Sequence, residues 1–212
     1  ISAVLCLMYI RRRYPILKLA KQDWKFDIAM VGRLLRIGLP SALQFSVCAI
    51  GVMVVQVVIN NMGSNTVAAY SIGTRIEQLI TQPLLTLGLA MATFSAQNLG
   101  SGQIERIKEG LKSAIWLTVL LSMAATLLVY LFASQFASLF INKNELDVIY
   151  ETTLYLRIVS LFFIPLGLIF VLRNTSQGLG SGLIGMLSSI QELVFRTIVA
   201  FTLPKSLGYI GI

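Results

Sequence analysis

Three long stretches of this chain, residues 37–74, 78–104 and 113–142, contain no charged side chain. A soluble element of such length would present charge to water somewhere along it. A run of roughly 18 or more mostly apolar residues is instead the mark of a transmembrane helix. Composition agrees: 56% of residues are hydrophobic and 12% charged, the latter about half the usual globular share. The expected fold is all-α, a polytopic membrane helix bundle.

Charge then orients the bundle. Residues 11–36 carry eight Lys/Arg against two acids, Asp23 and Asp27, and positive charge between spans marks the cytoplasmic side. Residues 11–37 therefore read as a cytoplasmic linker. Within it, Trp24, Ile28, Val31, Leu34 and Leu35 fall roughly on one face, which suits a short amphipathic helix in the inner interface. A solvated linker is the plainer alternative. Residues 1–10 read as the end of a preceding span, stopped by Arg11–Arg13, so the chain is expected to be a piece of a longer protein.

The first full span is expected from Gly38 to about Asn60, with Pro40 tolerated in its first turn. Further spans follow over about 72–95, 113–136, 153–175 and 183–203, making five complete spans plus the end of a sixth. Pro83 and Pro165 fall inside the second and fourth and are candidate hinges. The inner loops hold eleven Lys/Arg and the outer loops two, Lys143 and Lys205, so the alternation is self-consistent. Nucleic acid is not an expected partner, since the positive charge sits beside apolar spans and is explained by membrane orientation. Histidine is absent, which removes imidazole metal ligands and the usual general base. No hydrolase triad, phosphate loop or metal-ligand cluster occurs, and neither enzymatic activity nor a resident cofactor is expected. Cys6 and Cys48 are expected as free thiols.

Ionisable side chains inside a span are costly, so each needs a partner or a purpose. Glu192 and Arg196 are four apart on the last span, Glu first, the favourable order for a helical pair. Arg173 lies near the inner end of the fourth span and would face them if those spans form a hairpin. A carboxylate coupled to transport and a structural ion pair are both compatible with this pattern. Arg75 and Glu77 are candidates for a gate or for interfacial anchors. Gln44, Gln56 and Asn60 share one charge-free helix, where amides can line a cleft or bond to a neighbouring helix.

Several runs carry a family likeness: Gly38-Leu39-Pro40-Ser41-Ala42-Leu43-Gln44, Ala68-Ala69-Tyr70-Ser71-Ile72-Gly73-Thr74-Arg75-Ile76, and Gln97-Asn98-Leu99-Gly100-Ser101-Gly102. Leu139-Phe140 before an acidic loop, Tyr155-Leu156-Arg157-Ile158 and Gly178-Leu179-Gly180 add to it. In order and spacing these resemble the C-terminal half of the multidrug and toxic compound extrusion (MATE) transporters. The resemblance implies one lobe of a two-lobe protein of about twelve helices, with residues 38–212 as helices seven to eleven. It implies an N-terminal lobe as partner, and antiport coupled to H⁺ or Na⁺ that exports amphipathic, often cationic, organic compounds. The bilayer, as the bacterial inner membrane, is the expected location. Where sodium-coupled bacterial members carry acidic ligands on helices seven and ten, this chain has Cys48 and Leu166. The Arg-Gly-Ala-Gly-Asp pattern common after helix ten reads Gln177-Gly178-Leu179-Gly180-Ser181. A lipid-linked oligosaccharide flippase of related fold, and a non-transporting membrane scaffold, are the alternatives.

Overall fold

The computed structural model describes residues 2–14, 27–141 and 145–207, and the secondary structure described is entirely helical. The chain divides into two compact units, Ile1–Leu35 and Arg36–Ile212. The first contains α1 (Ser2–Arg13) and the start of α2 (Ile28–Asn60). α1 continues through Arg11–Arg13 and does not stop before them. At the start of α2 the Asp27 Oδ1 accepts hydrogen bonds from the backbone N–H groups of Ala29 (2.9 Å) and Met30 (3.2 Å). This is an N-cap, and it fixes where the helix begins.

That cap changes two expectations. α2 begins at Ile28 and not at Gly38, so Pro40 lies inside the helix and not in its first turn. From Ile28 onwards the expected interfacial helix is the opening of the long helix itself; its residues 24–26 lie outside the described residues.

The second unit holds the rest of α2 with α3 (Ser64–Gly100), α4 (Ile104–Phe140), α5 (Leu146–Ser160), α6 (Phe163–Gly178) and α7 (Gly182–Leu207). α3 and α4 have 37 residues each, or ~55 Å at 1.5 Å per residue. They therefore overrun the ~30 Å hydrocarbon core, and the expected spans are their central portions. Two reversals turn on glycines with left-handed backbone, Gly102 (φ +73°) and Gly180 (φ +86°). A side chain is disfavoured there.

Four helices, from α2, α3, α4 and α7, are long and apolar enough to cross a membrane. Among the described residues, the pair α5 and α6, bent by 55° at a short break, makes a fifth crossing when taken as one span. Pro165 stands in the first turn of α6, just after that break, and offers no N–H to the carbonyl of Leu161. α4 supplies hydroxyls to the break: Thr126 Oγ1 donates to the carbonyl of Ser160 (2.8 Å) and Ser122 Oγ to that of Phe163 (3.0 Å). The bend thus belongs to the fourth span. α3 runs uninterrupted through Pro83.

α3 and α4 pack on each other and on both α5 and α6, and α7 lies against α6. Their core is built by Ile76 and Leu84 from α3, Val129 and Ala133 from α4, Leu156 from α5 and Phe163 from α6. α2 meets α7 through Val55, Ile59 and Ala200. Trp116, Leu120, Phe132 and Leu139 are exposed, as lipid-facing side chains should be when helices satisfy their own backbones. Inside the bundle, Thr118, Ser122, Thr152, Ser160 and Ser189 are buried. Small residues of this kind let membrane helices approach closely.

α3 passes close to α6 at Gly88. A Cβ there would lie 2.9 Å from the carbonyl oxygen of Phe170 and 2.9 Å from the Asn174 amide nitrogen. Backbone cannot yield cheaply, so Gly88→Ala should destabilise the bundle by ~1–3 kcal/mol. Gly38→Ala, where nothing lies within 4 Å, should leave stability unchanged or slightly raised. Thermal unfolding in detergent separates the two; equal melting temperatures would reject this packing.

Candidate functional site

Two cavities open among the helices of the second unit. The first, of about 650 Å³, is walled by α2, α3, α5 and α7, with Gln56, Arg75, Glu77, Tyr155 and Arg196 on its surface. The second, of about 600 Å³, lies between α2, α6 and α7 and carries Cys48, Arg173, Ser188, Glu192 and Arg196. Arg196 lines both. Volumes of this order suit drug-sized ligands.

The first cavity is organised around Glu77. Its Oε2 accepts a hydrogen bond of 2.6 Å from the Tyr155 hydroxyl, bringing a residue of α5 onto α3. Tyr155 reaches it by packing its ring against α3 at Gly73, where a Cβ would be 2.6 Å from the tyrosine Cδ1. Tyr70 closes edge-on against the same ring, with centroids 5.5 Å apart and planes at 76°, a favourable aromatic geometry. Arg75 is exposed at the cavity wall and has no ion pair among the described residues.

The second cavity holds a three-residue ionic cluster. Glu192 receives Arg196 Nη2 on Oε1 at 2.9 Å and Arg173 Nη2 on Oε2 at 3.2 Å. One carboxylate therefore holds guanidiniums from its own helix and from α6. The Arg173 side chain is only 12% exposed, and its Nε is buried without a partner. The stem of Arg196 crosses α2 at Gly51, whose Cβ, if present, would lie 3.3 Å from Arg196 Cδ.

The residues singled out in the sequence are thus distributed unevenly. Arg173, Glu192 and Arg196 come together as one cluster. Arg75, Glu77 and Gln56 share a cavity with Arg196. Gln44 does not join them: it is buried, and its Oε1 accepts from Gln177 Nε2 at 2.8 Å, tying α2 to the end of α6. Asn60 is exposed and accepts from Gln56 Nε2 at 2.9 Å one turn earlier; it lines neither cavity. Pro165 sits at the α5–α6 break, and Pro83 on an outer groove with Leu79, Gln82 and Thr86. Cys6 and Cys48 are free; Cys6 is exposed, and Cys48 Sγ contacts Ser189 Oγ at 3.6 Å. Arg157 rests over the Tyr130 ring, 5.5 Å from its centroid, a cation–π contact.

Tyr155, Tyr70 and Gly51 escaped sequence reasoning as site residues. Gly73 gave one usable signal, a small residue at helical spacing from Glu77 on the same face.

Membrane-length helices enclosing cavities that carry a few charged groups define a membrane transport architecture. The MatE family model matches residues 40–202, and the chain belongs to the multidrug and toxic compound extrusion family of transporters. It is 30% identical over 149 residues to the probable multidrug resistance protein YoeA of Bacillus subtilis, covering 68% of this chain and 32% of that protein. It is 27% identical over 150 residues to a protein named FAD transporter from Shewanella oneidensis, covering 69% of this chain and 33% of that protein. Among solved structures, the Vibrio cholerae MATE transporter VcmN superposes with a TM-score of 0.86 at 20% identity, covering 99% of this chain and 47% of that one. The chain spans about a third of the length of these curated relatives and just under half of that structure. The likeness to VcmN shows the fold.

The ionic cluster can be tested by its non-additivity. Glu192→Gln and Arg196→Gln should each lower the melting temperature. The double variant should lose less than the sum, with a coupling on the order of 1 kcal/mol. Strict additivity would mean that the two side chains do not interact in solution.

Proposed function

We propose that the chain forms one lobe of a cation-coupled antiporter that exports amphipathic organic compounds by alternating access. The observation that carries this is the pair of cavities among membrane-length helices, each with a carboxylate on its wall. Family membership sets the class of activity. In this reading a further lobe faces the cavities, residues 11–37 lie in the cytoplasm, and the membrane is the bacterial inner membrane. Relatives carry two different substrate names, multidrug resistance and FAD, so the substrate reading rests on the cavities themselves.

Of the two carboxylates, Glu77 is the better one to exchange a coupling cation. Glu192 is already held by two guanidiniums. Glu77 has no ion pair among the described residues and keeps one oxygen beyond its tyrosine bond. A proton or Na⁺ arriving there would change the hydrogen bond to α5, and so bias how α3 and α5 pack. That is the differential interaction a coupling ion needs in order to shift a two-state equilibrium.

Reconstitution of the complete two-lobe transporter in proteoliposomes tests this. An imposed H⁺ or Na⁺ gradient should drive uptake of an amphipathic dye against its own gradient. Glu77→Gln should cut that driven uptake by about tenfold or more, about 1.4 kcal/mol of coupling, and leave dye binding in place. Undiminished gradient-driven transport by this variant would remove Glu77 from the mechanism; absence of transport under every gradient would overturn the antiport reading.

A further inference from the structure

The two cavities together present three guanidiniums, those of Arg75, Arg173 and Arg196, and two carboxylates, those of Glu77 and Glu192. The site therefore has an excess of one positive charge, and the second cavity alone has the same excess. Counting from Gly182, Glu192 and Arg196 stand ~15 and ~21 Å along α7, near the middle of a ~30 Å core. An uncompensated charge at that depth is costly. A hydrogen-bonded counter-ion is the way such a charge is ordinarily stabilised.

The donors for that counter-ion are already in place. Arg196 uses Nη2 on Glu192, has no second hydrogen bond among the described residues, and lines both cavities, where Glu77 attracts it only at longer range. Arg173 Nε is buried and without an acceptor. Arg75 lines the neighbouring cavity with no carboxylate bound. Guanidiniums with free, fork-shaped donor edges fit the planar or tetrahedral oxygens of carboxylate and phosphate. The apolar walls beside them, Leu166, Ile169, Phe170 and Phe195, would take a ring or chain.

We propose that this lobe binds substrates through an anionic group, a carboxylate or phosphate held by Arg196 with Arg173, next to an apolar moiety. The proposal rests on the transport reading above and names the substrate class for that same site. Glu192 sets the limit of the site: it neutralises one guanidinium, orients two, and competes with the incoming anion for both.

Equilibrium binding to the purified full chain in detergent is the test, with two fluorescent probes of one xanthene scaffold. Fluorescein carries a carboxylate and is anionic; tetramethylrhodamine methyl ester is cationic. Fluorescein should bind the more tightly. Arg196→Gln should weaken it by about tenfold or more, and Arg196→Lys by less. Glu192→Gln should tighten it, and adding Arg196→Gln to that variant should abolish the gain, which non-specific dye uptake by misfolded protein would not show. Preference for the cationic probe, or Arg196→Gln and Glu192→Gln moving fluorescein binding in the same direction, would overturn the proposal. Repeating the titration in nanodiscs with and without phosphatidylglycerol separates the two sources of an anion. Insensitivity of fluorescein binding to that lipid supports a substrate site. Arginine-dependent displacement by it would make the occupant a lipid headgroup and overturn the substrate assignment. Binding is read apart from transport, so intact fluorescein binding without any driven uptake would count against the antiport reading alone.

Discussion

Every part of this bundle answers to one constraint: in hydrocarbon, a backbone carbonyl without a hydrogen bond has no water to turn to. Unbroken helices meet it automatically, which is why α2, α3 and α4 run so far without interruption. The break between α5 and α6 is where it is hardest to meet. There the chain bends by 55°, Pro165 withholds a donor, and α4 answers with the hydroxyls of Ser122 and Thr126 on either side of the break. Two hydroxyls on a neighbouring helix thus make a bent crossing compatible with the bilayer. They also bind the bend to α4, so that α5 and α6 cannot straighten without leaving those donors behind.

The same constraint decides what could be read from the chain alone. Charge-free length betrays a crossing, and helical spacing places Glu192 over Arg196, because both are local properties of one segment. The start of α2 was misplaced because Gly38 and Pro40 look like a helix opening. The real one is set by a single cap, Asp27, within a strongly basic stretch. Pro165 was legible as a candidate for a bend, but the location of the break, just before it, depends on hydroxyls on α4 far away in sequence.

Site residues that act between helices were the least legible. Gln44 and Gln56 look equivalent on one polar-dotted helix. One is buried against Gln177 and the other opens onto a cavity, and only the placement of α6 and α7 separates them. Tyr155 was visible as part of a motif but not as the group that holds Glu77, since the two are 78 positions apart. Arg173 joined the cluster because α6 and α7 are linked by a short turn, the one tertiary relation that sequence proximity does dictate.

The polar groups of both cavities are placed by a shared device. Gly73 removes a side chain from α3 so that the Tyr155 ring can lie on that helix, and Gly51 does the same on α2 for the stem of Arg196. Long side chains lose rotamer freedom when ordered, and packing against a helix offsets that cost. A helix surface stripped to backbone gives each a flat seat, one side of which is always filled by van der Waals contact. The hydroxyl of Tyr155 and the guanidinium of Arg196 are then presented at the far end of a packed stem, where Glu77 and Glu192 meet them. Polar geometry in this lobe is therefore a consequence of apolar packing: the hydrogen bonds finish what the two glycines begin, and neither carboxylate need pull its partner across the cavity.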